Sequence, residues 1–211
     1  MCSVIGQRQE KRNGKRKDDL CATLCATPLP RRVKPMPSAR TQEKPFILVT
    51  LGGGGWHRET YRLLEEYSPD EFRFAYVYGH HSGNHSTGRL PMPHPGDRYP
   101  IHYLGPTRKR FLGWIANSAR CALSFYEAFR LVRRLRPVAI LALGHPAAIP
   151  LFLAARFYGA RCVFVESLTR VEDLSLTGRI VYHLRLACRM YVQWPSLRTK
   201  YERCTFAGTV L

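Results

Sequence analysis

Acidic residues are scarce in this 211-residue chain: 15 Asp plus Glu stand against 33 Lys plus Arg, leaving a formal charge of +18 at neutral pH. A balance so one-sided implies an anionic partner, and nucleic acid, an anionic membrane surface or a phosphate-bearing substrate would each satisfy it. Paired metal-ligand spacings are also missing. Seven cysteines, at 2, 21, 25, 121, 162, 188 and 204, repeat no pair spacing, and Cys21 and Cys25 form the only close pair. With no second Cys or His pair near them, no zinc site is suggested; the cysteines read as reduced thiols, with Cys162 and Cys188 as small buried hydrophobes.

Long apolar runs are equally few. A secretory signal needs roughly 7 to 15 apolar residues after a basic start, and the mixed stretch from Leu20 to Leu29 does not supply them. Residues 1–45 instead hold basic clusters (Lys11-Arg12, Lys15-Arg16-Lys17, Arg31-Arg32) and prolines at 28, 30, 35, 37 and 45. That composition predicts a disordered basic tail suited to touching anionic lipid. Val138 to Ala155 is the one stretch long enough to raise a membrane span, but Gly144-His145-Pro146 sits at its centre and Pro150 follows. A buried strand turning tightly into a buried helix explains the same residues without breaking a helix at bilayer depth.

What the chain does contain, from residue 46 to 211, is alternation of strand and helix patterns. Phe46 to Leu51 is an apolar run ended by four glycines, then His57 to Tyr67 carries Tyr61, Leu64 and Tyr67 at helical spacing. Phe72 to Tyr78 reads as a second strand, and Gly79 to Thr107 as one long loop rich in Gly, Pro, Ser and His. Arg108 to Arg136 reads as helix, with a break at Gly113 open; Val138 to Leu143 as strand; Ala147 to Tyr158 as helix ended by Gly159. Strand Cys162–Val165, helix Ser175–Cys188 and strand Met190–Gln193 complete the series. The fold class expected is α/β: a Rossmann-like parallel sheet with helices on both faces and ligands outside the carboxyl ends of the strands.

Three features fall at those ends. Consecutive glycines let backbone N–H groups approach an anion closely, and a following helix points its positive end to the same place, so Gly53, Gly54 and Gly55 are candidate phosphate ligands. Neither the dinucleotide fingerprint nor a Walker lysine accompanies them: His57 stands at the third glycine position, and the second strand ends Tyr78-Gly79 without an acid. His57 opens the next helix and is a candidate base. Gly144-His145-Pro146 places His145 after a middle strand. Glu166 and Ser167 follow another, where a carboxylate can orient a base or bind a hydroxyl, or simply cap a turn or pair with Arg170.

The segments Val165-Glu166-Ser167, Arg170-Val171, Leu174 to Arg179, Val192-Gln193-Trp194-Pro195 and Phe206-Ala207-Gly208, with the loop Gly53 to His57, resemble the Alg-fourteen-like oligosaccharide-biosynthesis family. Members look like the amino-terminal half of a GT-B glycosyltransferase such as MurG and typically carry a Gly-x-Gly-Gly-His loop; Trp56 stands here where a glycine is usual. The resemblance covers Phe46 to Leu211. It implies a glycosyltransferase subunit that binds a lipid-pyrophosphate-linked glycan acceptor, while a separate donor-binding glycosyltransferase chain holds the nucleotide sugar, first guess UDP-N-acetylglucosamine. It further implies His57 and Glu166 as catalytic residues, with Gly53, Gly54, Gly55, His145, Ser167 and Arg170 around the acceptor phosphates. No metal or cofactor is called for, and no Asp-x-Asp occurs. A single-chain enzyme would continue past Gly208 into its donor domain, so Trp194, Thr209, Val210 and Leu211 are expected at the partner interface.

Phe111 and Trp114, flanked by Arg108, Lys109 and Arg110, make an apolar tip with a basic collar, suited to an anionic headgroup region. The expected location is therefore peripheral, on the cytoplasmic face of a membrane. Two alternatives share the charge. A nucleic-acid-binding module is one, without a recognisable helix-turn-helix, zinc finger or RNP-like strand, so nucleic acid is not expected. A self-sufficient small nucleotide-dependent enzyme is the other.

Overall fold

The computed structural model describes residues 44–79, 89–102 and 112–210, with backbone alone for 112–119. Strands are β1 (Phe46–Leu51), β2 (Arg73–Gly79), β3 (Gly96–Ile101), β4 (Ala139–Leu143), β5 (Arg161–Val165), β6 (Arg189–Val192) and β7 (Thr205–Phe206). Helices are α1 (Gly55–Glu65), α2 (Leu112–Leu135), α3 (Ala148–Tyr158), α4 (Leu176–His183) and α5 (Pro195–Lys200). The strands form one sheet in the order β3-β2-β1-β4-β5-β6-β7, and every neighbouring pair is parallel. From Pro45 onward the chain is one compact unit; the expected basic tail lies almost wholly outside the described residues.

Burial on both faces explains why the central strands read as apolar runs rather than alternating ones. β4 is buried at every position, and β1 and β5 at all but the first. Leu48, Ile140, Phe152, Phe164, Val192 and Leu197 belong to one core. Helix α3 buries Ala148, Pro150, Leu151, Phe152, Ala154 and Ala155, so it is apolar nearly all round. The charge-free stretch Val138–Ala155 is thus a central strand and a core helix, and no helix among the described residues is long and apolar enough to cross a membrane. Pro150 sits in the first turn of α3, where its missing N–H costs no helical bond, and Gly159 closes the helix at φ 76°.

One expectation fails outright. The long loop expected from Gly79 to Thr107 contains β3, which pairs with β2 from Gly96 to Ile101. Its glycine is obligatory, since a Cβ on Gly96 would lie 2.3 Å from the Phe74 carbonyl oxygen. Its proline is tolerated because, in the described sheet, β3 is an edge strand and needs fewer ladder donors. The turn before it is anchored by buried His94, which stacks on Phe74 at 4.9 Å, contacts the Leu64 carbonyl through Nε2 at 2.8 Å and accepts the Tyr76 hydroxyl on its own carbonyl. Helix α2 is described from Leu112, with Gly113 in its first turn and Arg108 to Phe111 outside the described residues, and α4 stops at His183, leaving Cys188 exposed where burial was expected. Elements α5 and β7 add to the expected series.

Candidate functional site

Chain connections leave β1 and β4 in opposite directions along the sheet, which opens a crevice between their carboxyl ends. The Gly52–Gly55 loop forms one side. Gly54 adopts φ 61° and precedes α1 without any side-chain cap, and a Cβ on Gly54 or Gly55 would meet nothing within 4 Å. Gly53 to Gly55 are exposed, so the first-turn N–H groups of α1 lack a capping side chain and suit an anion.

The Trp56 side chain spans from the end of β1 to the turn after β4. A Cβ on Gly52 would fall 2.7 Å from Trp56 Cβ, one on Gly144 would fall 3.1 Å from Trp56 Nε1, and the His145 ring meets the indole edge-on at 6.0 Å. His145 itself is buried and accepts the Ala147 N–H on Nδ1 at 3.2 Å, which assigns its proton to Nε2. Burial lowers its pKa to about 4, so the ring is neutral at physiological pH. His57, one residue beyond Trp56, has its Nε2 2.8 Å from the Pro91 carbonyl oxygen and therefore donates to it. The Gly-x-Gly-Gly-His pattern also fits one residue earlier, as Gly52 to Trp56. In that register Trp56 replaces the histidine, and Trp56 is the side chain that contacts Gly144 and His145.

Glu166, at the end of β5, is fully buried. Oε1 accepts the Ser167 N–H and Oε2 accepts both the N–H and the hydroxyl of Ser175, each at 3.0 Å. Ser175 caps α4 by accepting the Gly178 N–H at 2.9 Å, and a Cβ on Gly178 would lie 2.1 Å from Glu166 Oε2. Burial raises this carboxyl's pKa against the pull of its hydrogen bonds. Oε2 is thus spent on the capping residue of α4 and Oε1 on the adjoining Ser167 N–H. Arg170 is exposed, and its backbone N–H donates to the Ser167 carbonyl at 3.0 Å in the turn that follows.

Sequence reasoning missed Glu59 and Gln193. Glu59, buried on α1, accepts the Ser167 hydroxyl on Oε1 at 2.9 Å, and on Oε2 accepts the Leu168 N–H at 3.0 Å and Gln193 Nε2 at 2.9 Å. Gln193 also donates to the Glu166 carbonyl at 3.0 Å and accepts the Val210 N–H at 2.8 Å. The signal available was a carboxylate on the apolar face of α1, where Thr60 and Leu64 are also buried.

Trp194 is half-buried and donates from Nε1 to the Leu168 carbonyl at 2.7 Å; Thr209 and Val210 are half-buried. Beyond this hub, Asp173 bonds Tyr201, Arg179 and Lys200, and the Tyr201 hydroxyl first among them holds its carboxyl well below the usual range. Arg108, Lys109, Arg110, Phe111 and Leu211 lie outside the described residues, as does the side chain of Trp114. Among the described residues no three His, Cys, Asp or Glu side chains gather as a metal site.

A parallel seven-stranded sheet with a glycine loop at its switch point defines a Rossmann-like α/β protein of the kind found in GT-B glycosyltransferases. Acinetobacter baumannii MurG superposes with a TM-score of 0.51 at 19% identity, over 72% of this chain and 42% of that one. UDP-N-acetylglucosamine 2-epimerase from Rickettsia bellii gives 0.58 at 11% identity, over 80% and 46%. The chain thus spans less than half the length of these solved proteins, and the likeness is one of fold. Residues 47–210 match the family described as oligosaccharide biosynthesis protein Alg14 like, and the chain belongs to that family. Among its relatives, the mouse UDP-N-acetylglucosamine transferase subunit ALG14 is 28% identical over 86% of this chain and 88% of its own length. The Yarrowia lipolytica protein of the same name is 30% identical over 79% and 82%. The chain is accordingly a transferase subunit.

Proposed function

We propose that this chain is the acceptor-side half of a two-chain glycosyltransferase moving N-acetylglucosamine from UDP-N-acetylglucosamine to a lipid-pyrophosphate-linked glycan. The observation that carries the reading is an uncapped, open glycine loop at the switch point of a chain whose full-length relatives are transferase subunits. Gly53, Gly54 and Gly55 offer N–H groups to the acceptor's phosphates, and exposed Arg170 adds a cation from the β5–α4 loop. His57 donates from Nε2 to Pro91, which leaves Nδ1 to take a proton from the acceptor hydroxyl. His145 is neutral, with its Nε2 protonated, and serves as a hydrogen-bond donor rather than a base. Glu166 and Ser167 are positioning residues that hold the β5–α4 loop, because their polar atoms are engaged within the chain.

The donor-binding chain docks against Thr209, Val210 and Leu211, near Trp194. Arg108, Lys109, Arg110, Phe111 and Trp114 contact an anionic membrane surface on its cytoplasmic face, and residues 1–45 reinforce that attraction. Equilibrium binding to the purified chain tests the division of labour. A lipid-pyrophosphate-linked glycan binds and UDP-N-acetylglucosamine does not; tight binding of the nucleotide sugar to this chain alone would contradict the reading.

A further inference from the structure

Both oxygens of Glu59 are occupied, and the side chain is 7% exposed, so it is closed to substrate. What it does hold is the junction of three elements: α1, which begins at the glycine loop, the turn after β5, and the end of β6. Its three donors each come from outside α1. Gln193 extends the chain of bonds outward with a fixed polarity. Its amide donates to Glu59 and to the Glu166 carbonyl while its oxygen accepts the Val210 N–H. Rotating that amide by a half-turn would set oxygen against the Glu59 carboxylate and nitrogen against the Val210 N–H, so neither end is free to relax alone.

We propose that Glu59 is the positioning residue that locks the glycine loop to the Ser167–Leu168 turn, and that Gln193 transmits this lock to Val210. Whatever fixes the segment around Val210 then also fixes the crevice wall. The functional half of the proposal rests on reading that crevice as the acceptor site.

Residue-resolved amide exchange on the purified chain tests the lock without any assay of activity. In Glu59→Ala, exchange at Leu168 accelerates, and exchange at Val210, which Glu59 does not touch, accelerates at least about tenfold as well. Glu59→Gln restores both, since its carbonyl can take the Leu168 and Gln193 donors while its amide faces the Ser167 hydroxyl, which rotates to accept. Should Glu59→Ala fail to fold, Gln193→Met reads the same relay from the other end, through faster exchange at Leu168. Val210 unmoved in Glu59→Ala, or Leu168 unmoved in Gln193→Met, overturns the relay.

In the complex with the donor chain, Glu59→Ala raises the acceptor KM more than it lowers kcat, and Glu59→Gln recovers the wild-type values. Loss of kcat in Glu59→Gln equal to that in Glu59→Ala overturns the positioning role in favour of a catalytic one. Exchange that behaves as expected beside an unchanged acceptor KM leaves the lock standing and overturns the acceptor reading of the crevice.

Discussion

Gly178 and Thr50 show how single atoms are constrained around the site. Gly to Ala inside a helix normally gains about 1 kcal/mol, but at position 178 the new Cβ would meet Glu166 Oε2 at 2.1 Å. Overpacking of that kind costs about 1–3 kcal/mol, so Gly178→Ala is expected to lower the urea midpoint, whereas a rise would show that Glu166 moves aside without cost. Thr50 is the opposite case. Its hydroxyl is buried with no partner among the described residues, and Val matches its shape. Thr50→Val is therefore expected to raise stability by about 1 kcal/mol, relieving an unpaired polar atom; a lower midpoint would mean that the hydroxyl has a partner. At this scale the glycine loop and the Glu166-Ser167 pair were legible in sequence, because glycine runs and strand ends are local signals. Glu59 was not: its partners lie 108, 109 and 134 residues away.

Elements were legible in proportion to their burial. β1, β4 and β5 are apolar runs because both faces are covered. β3 carries Gly96, Asp97, Arg98 and Pro100 at a sheet edge, and no strand pattern survives that composition. Of the expected stripe Tyr61, Leu64 and Tyr67 only Leu64 is buried and Tyr67 lies beyond the end of α1; the residues α1 buries are Glu59, Thr60 and Leu64, and that misreading hid the hub. The β4–α3 turn yields a pH prediction. His145 has an ordinary pKa of 6.5 and a folded one of about 4. Between those values the unfolded chain binds a proton that the folded chain refuses, so this contribution is whole above about pH 6.5 and is lost as pH falls towards 4. Glu166 acts oppositely, its raised carboxyl favouring the folded chain at low pH and losing that contribution as pH rises through its folded pKa. His145→Asn keeps an acceptor for the Ala147 N–H and removes the titration. Its urea midpoint is expected to fall less from pH 7 to 4.5 than that of the wild type, or to rise, and parallel curves would remove His145 from the account.

For the whole molecule, the charge of +18 and the proposed sharing of one transferase between two chains are what remain to test. Flotation with anionic vesicles is expected to weaken with added salt and further with Arg108→Glu or Trp114→Ala, because each basic residue near anionic lipid contributes about 1 kcal/mol; unchanged flotation in both variants would remove the membrane patch. The central claim is that catalysis needs a second chain. The direct measurement purifies this chain and the donor-binding subunit separately, then follows N-acetylglucosamine transfer from UDP-N-acetylglucosamine to a lipid-pyrophosphate-linked acceptor with each alone and with both mixed. The account predicts transfer only in the mixture, and transfer by this chain alone would contradict it.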